Sequence, residues 1–223
     1  MIDFLLTIAD HLPNWTSRLW PALGQTLLIT LVSFALASIM AVLLEVVRSS
    51  RSLTLRRLVA GYVDVVRSIP ILAILYLLYF GLPGVGIYLS AFIAGAIGLG
   101  LVYSVYIAEI LRAGVQSLHK GQREAALAVG LSPLQTFRHI VLPQALRAVT
   151  PPMLLTFISL IKDSSICALI AVNELMLTSK VIMSESFLPL HVFVVVGLIY
   201  FAIAWPMSLF VRWLEPRLNR GRR

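Results

Sequence analysis

The chain consists of long apolar stretches separated by short segments that carry most of the charged residues. A transmembrane helix needs about 20 mostly apolar residues to cross roughly 30 Å of hydrocarbon. The turn signal GLPGVG at 81–86 divides the uncharged stretch between Arg67 and Glu109 into two parts. The pattern predicts an all-α, polytopic membrane protein with five transmembrane helices, over 21–47, 58–80, 87–111, 148–172 (interrupted by Lys162-Asp163) and 186–211.

Composition supports this prediction and excludes other classes of protein. Of the 223 residues, 59% are hydrophobic and only 13% are charged. An ordinary soluble domain carries about a quarter charged residues, and its surface could not be covered by so few polar side chains. A cytosolic enzyme, a disordered chain and a disulfide-rich secreted domain are therefore excluded. Cys167 is the single cysteine and cannot form an internal disulfide.

The basic residues predict the orientation, because Lys and Arg accumulate in cytoplasmic loops. With the N-terminus outside and the C-terminus inside, the inner segments hold most of these residues, whereas the outer segments hold Arg18 and Lys180. The inner group is Arg48, Arg51, Arg56, Arg57, Arg112, Lys120, Arg123, Arg138, Arg147, Arg212, Arg217, Arg220, Arg222 and Arg223. This topology accounts for the net charge of +8 without a nucleic-acid partner. We expect an external interfacial segment at 1–20, a transmembrane domain at 21–212 and a basic cytoplasmic tail at 213–223.

The loop between the third and fourth predicted helices, 113–147, lies on the cytoplasmic side and has strong local signals. Residues 122–129, QREAALAV, favour a helix, and Gly130 is well placed as its left-handed C-terminal cap. Ser132, Pro133 and Gln135 then form the pattern of a capping box. The predicted second helix runs to about residue 141 and ends near Pro143.

Three interpretations of this helix-turn-helix remain open. A DNA-binding unit has a similar outline, but the second helix is too apolar to read base edges, and transmembrane segments flank it closely. The second interpretation is a hairpin on the membrane surface with no partner. The third is a docking element for a cytoplasmic protein. Ala125 and Ala126 would allow close approach, and an apolar face lies beside Arg123 and Glu124, formed by Leu127, Leu131 and Leu134.

Spacing across this loop resembles the EAA loop of ABC importer permeases. Glu124-Ala125-Ala126 is followed by Gly130 and then by Ile140-Val141-Leu142-Pro143. Other segments resemble motifs of the polar-amino-acid uptake permeases: VRSIP at 66–70, YFGLP at 79–83, YIAEILRAG at 106–114, LPQA at 142–145 and FISLIKDSS at 157–165. The family often has Gly-Thr at the position of Ser68-Ile69, and Thr at the position of Ser164. The resemblance covers roughly residues 20–215.

The resemblance implies a permease subunit of the bacterial inner membrane that forms the substrate pathway in a dimer, with a second copy or a related permease. It also implies an ATP-binding subunit dimer and an extracytoplasmic amino-acid-binding protein as partners. The residues that it assigns to ATPase coupling are Arg123, Glu124, Ala125, Ala126, Gly130 and Leu131. We find no phosphate-binding loop of the G-x-x-x-x-G-K-[ST] type, so ATP and Mg²⁺ would be bound by the partner. This chain is then no enzyme and binds no cofactor itself.

Ionisable residues inside predicted membrane helices are costly and are candidates for function. Glu45 with Arg48, and Glu109 with Arg112, are spaced for local pairs at cytoplasmic helix ends, which is a structural role. Asp64 and Arg67 lie deeper, near Pro70, where we expect a kink. The candidate pathway residues are Arg67, Lys162, Asp163 and Ser164.

These charges have two possible roles. They could lock helices together as a buried ionic network, or they could line a path for a zwitterionic solute. A guanidinium binds a carboxylate through two hydrogen bonds, and an aspartate accepts from an ammonium group. The histidines are scattered without metal-ligand spacing, so no metal site is expected.

We therefore expect the permease subunit of an ATP-driven importer of polar amino acids. The alternative is an ATP-independent secondary transporter or channel for a small polar solute. The lack of an inverted repeat argues against the common secondary-transporter designs. A membrane-embedded enzyme would need a metal-ligand cluster or a nucleophile with a nearby base, and the sequence shows neither.

Overall fold

A computed structural model describes residues 2–219, which contain helices and turns and no β-strand. The nine α-helices of this part of the chain are α1 (Ile2–Arg48), α2 (Leu53–Ser68), α3 (Ile71–Tyr76), α4 (Ala91–Gln116), α5 (Lys120–Ala128), α6 (Pro133–Thr136), α7 (Leu142–Asp163), α8 (Leu175–Ser186) and α9 (Pro189–Asn219). A π-helical turn at Leu77–Gly81 and a 3₁₀ turn at Leu82–Val85 follow α3. Another π-helical turn, Phe137–Val141, joins α6 to α7, and a 3₁₀ turn, Ser164–Ile170, follows α7.

Within residues 2–219, four helical segments are long and apolar enough to cross a membrane, or five if the bent pair described below is counted as one span. They are Ile2–Arg48, Ala91–Gln116, Pro133–Ile170 and Pro189–Leu218. The all-α class is confirmed for the described residues, and the helices include several that are suited to crossing a membrane. The predicted interfacial segment 1–20 continues into the first span as one helix from Ile2 onward.

The second predicted span, 58–80, is wrong as a single uninterrupted helix. α2 ends at Ser68, and the segment Ile71–Val85 leaves at 102° to it. Ile69 adopts the extended conformation, as a residue before proline prefers, and Pro70 precedes the first turn of α3. The kink expected at Pro70 is thus a full break.

The predicted end of a helix near Pro143 is also wrong. The π-helical turn leads directly into α7, and Pro143 lies in the first turn of that helix. The Leu142 N–H bonds to the Phe137 carbonyl, five residues back, so the wider turn accommodates the proline that would otherwise break the ladder. α6, the π-helical turn and α7 therefore belong to one continuous helical segment, Pro133–Ile170.

α8 lies between the fourth and fifth spans and was not predicted. Its N-cap is Glu174, whose buried carboxylate accepts from the Leu177 N–H at 2.8 Å and from the Tyr200 hydroxyl at 3.3 Å. The Leu175 N–H donates to Thr26 Oγ1 of α1 at 3.0 Å. These bonds fix α8 between α1 and α9. An ion pair between Arg18 of α1 and Glu185 of α8 is a second contact between these two helices.

α1 and α4 pack closely along the centre of the domain. A Cβ atom at Gly95 of α4 would lie 2.9 Å from Ile29 Cδ1 of α1, and one at Gly100 would lie 2.8 Å from Leu36 Cδ2. With any larger residue at these positions, the side chains of Ile29 and Leu36 would have to shift, because real Cβ atoms do not approach so closely. A larger cluster of buried residues joins α1, α2, α3 and α4 to the 3₁₀ turn after α7, and a smaller one, around Trp15 and Leu19, joins α1, α8 and α9.

The last helix continues beyond the predicted end of the fifth span. α9 extends to Asn219 and includes the first part of the basic tail predicted at 213–223. Arg217 stacks on the ring of Trp213, with its Cζ atom 3.3 Å from the ring centroid. Arg220, Arg222 and Arg223 of the predicted inner group lie outside the described residues.

Candidate functional site

A cavity of about 600 Å³ opens where the α2–α3 break meets α4 and α7. Because Pro70 turns the chain sharply, the end of α2 and the beginning of α3 both reach this space. α4 and α7 contribute side chains at helical spacing, so one face of each helix lines the cavity. The lining residues are Arg67, Ile71, Tyr103, Tyr106, Glu109, Ile110, Ala113, Leu155, Thr156, Ser159 and Asp163.

Asp163 is held in the cavity by a tyrosine of the neighbouring helix. The hydroxyl of Tyr103, a buried residue of α4, donates a hydrogen bond to Asp163 Oδ2 at 2.7 Å. Within residues 2–219, Oδ1 of the same carboxylate has no hydrogen-bond partner and no ion-pair partner. One carboxylate oxygen is therefore fixed, and the other is available to a ligand.

Arg67 supplies the cation of the cavity. It is exposed at the end of α2, and its expected partner Asp64, one turn earlier, is exposed too. In the described part of the chain, Arg67 and Asp64 do not form an ion pair. The Arg67 guanidinium is thus free to bind an anionic group.

Lys162 and Ser164 are not among the residues that line this cavity. Lys162 is exposed, whereas Ser164 is fully buried and its hydroxyl donates to the Ile161 carbonyl at 2.8 Å. Successive helical residues point about 100° apart, so neighbours of Asp163 face elsewhere. Of the four predicted pathway residues, the structure brings together Arg67 and Asp163.

The sequence-based interpretation missed Tyr103, Tyr106, Thr156 and Ser159. Their only signal is the spacing of three and four residues that places polar groups on one face of α4 and one face of α7. A tyrosine in an apolar helix resembles ordinary filling of the core, so that signal is weak.

Glu109 lines the cavity and pairs with a different residue than expected. Arg48 Nη1 of α1 lies 2.9 Å from Glu109 Oε1 and 3.0 Å from Glu45 Oε1. The local Glu45–Arg48 pair is present as expected. The local Glu109–Arg112 pair was a wrong prediction, because among residues 2–219 Glu109 forms its ion pair with Arg48.

The EAA region has the local geometry that the sequence predicts. His119 caps α5, with the Gly121 N–H donating to His119 Nδ1 at 3.2 Å. Gly130 has a φ of +87° and ends this helix in the left-handed conformation. Ser132 and Gln135 form the capping box, with bonds of 3.3 Å and 2.9 Å between side chains and backbone N–H groups. The caps predicted at Gly130 and at Ser132 with Gln135 are confirmed, whereas the His119 cap was not predicted.

One face of this helix-turn-helix is exposed. Arg123, Glu124, Ala125 and Gly130 are exposed, and Leu131 is half-buried. Ala126 is buried, and its carbonyl accepts from the Leu131 N–H at 3.1 Å, so it packs inside the turn. Apolar side chains on the exposed face are Leu127, Val129 and Leu134.

Comparison with known proteins identifies the family. The family model described as "binding-protein-dependent transport system inner membrane component" matches residues 33–220. The chain belongs to this family. The resemblance to polar-amino-acid ABC importer permeases is thereby confirmed, and the described helices fit an inner membrane component that spans the membrane several times.

Curated relatives of this inner membrane component are amino-acid permeases. It is 38% identical over 197 residues to the probable glutamine ABC transporter permease protein GlnM of Bacillus subtilis, covering 88% of this chain and 91% of the relative. It is 40% identical over 195 residues to the probable amino-acid permease protein YckA of the same organism, covering 87% and 86%. The glutamine transport system permease protein GlnP of Escherichia coli is 32% identical over 215 residues, covering 92% and 98%.

Solved structures of ABC transporters share the fold of this inner membrane component. A crystal structure of an amino acid ABC transporter with histidines aligns with a TM-score of 0.86 at 28% identity and covers 95% of this chain and 97% of that chain. The MetNI methionine ABC transporter, in inward-facing conformations, aligns with a TM-score of 0.63 at 22% identity, over 89% and 95%. The second likeness shows the shared fold.

Proposed function

We propose that this chain forms the substrate pathway of an ATP-driven importer of polar amino acids. The observation that carries the proposal is the cavity between α2, α4 and α7, where Arg67 and Asp163 each keep a free hydrogen-bonding group. A free amino acid presents a carboxylate and an ammonium group. The guanidinium binds the first through paired hydrogen bonds, and Asp163 Oδ1 accepts from the second. Lys162 and Ser164 remain candidates for the pathway in a conformation that turns α7.

The helix-turn-helix Lys120–Thr136 is proposed to couple this pathway to a separate ATP-binding subunit. Its exposed face combines Arg123, Glu124 and Ala125 with the apolar side chains of Leu127 and Leu134. Because α6 leads directly into α7 through the π-helical turn, a push on the loop moves the helix that carries Asp163. Gly130 and Leu131 set the angle of the corner. The partner subunit binds ATP with Mg²⁺ and hydrolyses the ATP.

The proposed assembly contains two permeases, either two copies of this chain or this chain with a related one. Two ATP-binding subunits lie on the cytoplasmic side, and an extracytoplasmic binding protein delivers the amino acid. Lys and Arg at the ends of the membrane helices support an N-out, C-in orientation in a bacterial inner membrane. Under this topology, the helix-turn-helix faces the cytoplasm.

Purification of the tagged chain from its native cells in a mild detergent tests this function. The expected result is an ATP-binding subunit in equal amount, together with a second permease copy or a related permease. A chain that is recovered alone, under conditions that keep known transporter complexes intact, contradicts the proposal and favours an ATP-independent transporter or channel.

A further inference from the structure

Glu109 faces the cavity, but a residue outside the cavity holds its carboxylate. Arg48, the last residue of α1, contacts Glu109 Oε1 at 2.9 Å and Glu45 Oε1 at 3.0 Å. The exposed fractions of these side chains are 17% for Arg48, 33% for Glu109 and 23% for Glu45. The three groups are thus partly shielded from water, where ion pairs are stronger than on an open surface.

The charges of this cluster balance once Arg112 is included. Arg112 lies one turn after Glu109 and acts electrostatically on Glu45. Two carboxylates and two guanidinium groups are therefore present near the C-terminal ends of α1 and α4. Among the described residues that line the cavity, Arg67 and Asp163 are the two charged side chains without an ion-pair partner.

The cavity therefore offers one free cation and one free anion. An amino acid with an uncharged side chain carries one charge of each sign, so its charges match this lining. A cationic or anionic side chain would add a charge that no free group of the lining compensates, and desolvation of such a charge is costly. If Arg48 released Glu109, the lining would gain a second free anion and would suit a cationic side chain.

We propose that Arg48 is a specificity-determining positioning residue. By pairing with Glu109 it limits the free charges of the cavity to Arg67 and Asp163, so that the cavity favours amino acids with uncharged side chains over those with cationic ones. This inference rests on the proposed function. Arg48 acts through Glu109 and does not touch the substrate.

The test measures binding to the purified complex of permease and ATP-binding subunits in the absence of the binding protein. The dissociation constants of radiolabelled glutamine and lysine report the preference of the cavity itself. The wild-type complex is expected to bind glutamine more tightly. In Arg48→Met the ratio shifts toward lysine by up to about fivefold, the scale of one partly exposed ion pair. The control Arg51→Met, an exposed residue just beyond α1, keeps the wild-type ratio.

A double variant separates the charge effect from a loss of structure. Arg48→Met with Glu109→Gln is expected to restore the wild-type ratio, because the released carboxylate is gone. Damage to packing would persist in that variant. Glu109→Gln alone keeps Arg48 and must not raise the affinity for lysine relative to glutamine. This single variant tests the inference even where Arg48→Met fails to assemble.

Three results would overturn the inference about Arg48. They are an unchanged ratio in an assembled Arg48→Met complex, a double variant that behaves like the single one, and a Glu109→Gln complex that prefers lysine. If any of these three results is obtained with a complex that binds and imports amino acids, the proposed function stands. If the wild-type complex neither binds nor imports any amino acid, the proposed function itself is contradicted.

Discussion

The Tyr103 hydroxyl donates to Asp163 Oδ2 at 2.7 Å, across 60 positions of sequence and between two membrane helices. This bond fixes one oxygen of a carboxylate that lines the cavity, and Oδ1 has no protein partner among residues 2–219. Since α7 continues from α6 of the helix-turn-helix, the helix that carries Asp163 joins the proposed pathway to the proposed coupling element.

Tyr103→Phe removes this hydrogen bond and keeps the ring. We expect the KM for amino-acid uptake to rise by about tenfold or more, because a hydrogen bond to a charged group contributes about 1.5–3 kcal/mol. Uptake kinetics in proteoliposomes measure the effect. Tyr106→Phe is the matched control, since Tyr106 lines the same cavity and makes no such bond to Asp163. Equal KM values for the two variants would contradict the role of Tyr103.

Arg67→Ala removes the free cation of the cavity. The expected result is a loss of uptake by at least about tenfold, the equivalent of 1.4 kcal/mol, with normal recovery of the assembled complex. Arg57→Ala, an exposed residue on the same helix that does not line the cavity, is expected to transport like the wild type. Normal uptake by Arg67→Ala would show that this residue is not part of the pathway.

Leu134→Glu places a charge on the exposed face of the helix-turn-helix. Leu134 is 75% exposed, so the folded chain should lose less than about 0.5 kcal/mol of stability. The amount of co-purified ATP-binding subunit should nevertheless fall severalfold, because the charge would be buried in the contact. Tyr88→Glu is the control and should retain the subunit. Tyr88 is 81% exposed and lies just before the first residue of α4, whereas the helix-turn-helix follows the last residue of that helix. Equal recovery with both variants would place the contact elsewhere.

Gly130 tests the corner between α5 and α6. Its φ of +87° is unfavourable for residues with a Cβ atom, so Gly130→Val should distort the corner at a cost of about 1–2 kcal/mol. We expect ATP hydrolysis by the complex to respond less to the substrate-loaded binding protein. Gly130→Asn tolerates the left-handed conformation better and should keep most of the response. If the loaded binding protein stimulates ATP hydrolysis equally in both variants and in the wild type, this turn has no role in coupling.

Gly114 tests helix packing independently of function. A Cβ atom there would lie 2.1 Å from Val149 Cγ1, so Gly114→Ala should destabilise the α4–α7 contact by about 1–3 kcal/mol. At Gly24 no atom lies within 4 Å of a new Cβ, and Gly24→Ala should stabilise α1 by up to about 1 kcal/mol. Thermal unfolding followed by tryptophan fluorescence in detergent compares the two. A higher melting temperature for Gly114→Ala, or a lower one for Gly24→Ala, would contradict this packing.

Local signals in the sequence predicted local structure well. Ser132 with Gln135, and Gly130, act through neighbours a few residues away, so their caps can be read directly from spacing. The apolar stretches likewise locate the membrane helices. A kink was predicted at Pro70. The size of the bend, however, depends on the packing of α3 against α4, and the spacing of residues in the sequence does not reveal that packing.

Features that depend on long-range contacts were missed. α8 is only 12 residues long and is stabilised by Glu174, whose partner Tyr200 lies on another helix. Glu109 pairs with Arg48, 61 positions earlier, although Arg112 is the nearer residue in sequence. In both cases two side chains meet because helices pack together, and a single sequence does not specify which faces meet.

Uptake by reconstituted vesicles tests whether this chain forms the substrate pathway of an ATP-driven importer. The complex purified through this chain is placed in proteoliposomes with its binding protein outside and ATP with Mg²⁺ inside, and accumulation of radiolabelled polar amino acids is measured. The expected result is accumulation against a gradient that stops without ATP and is lost in Arg67→Ala. Equal accumulation with and without ATP, or in wild type and Arg67→Ala alike, would contradict it.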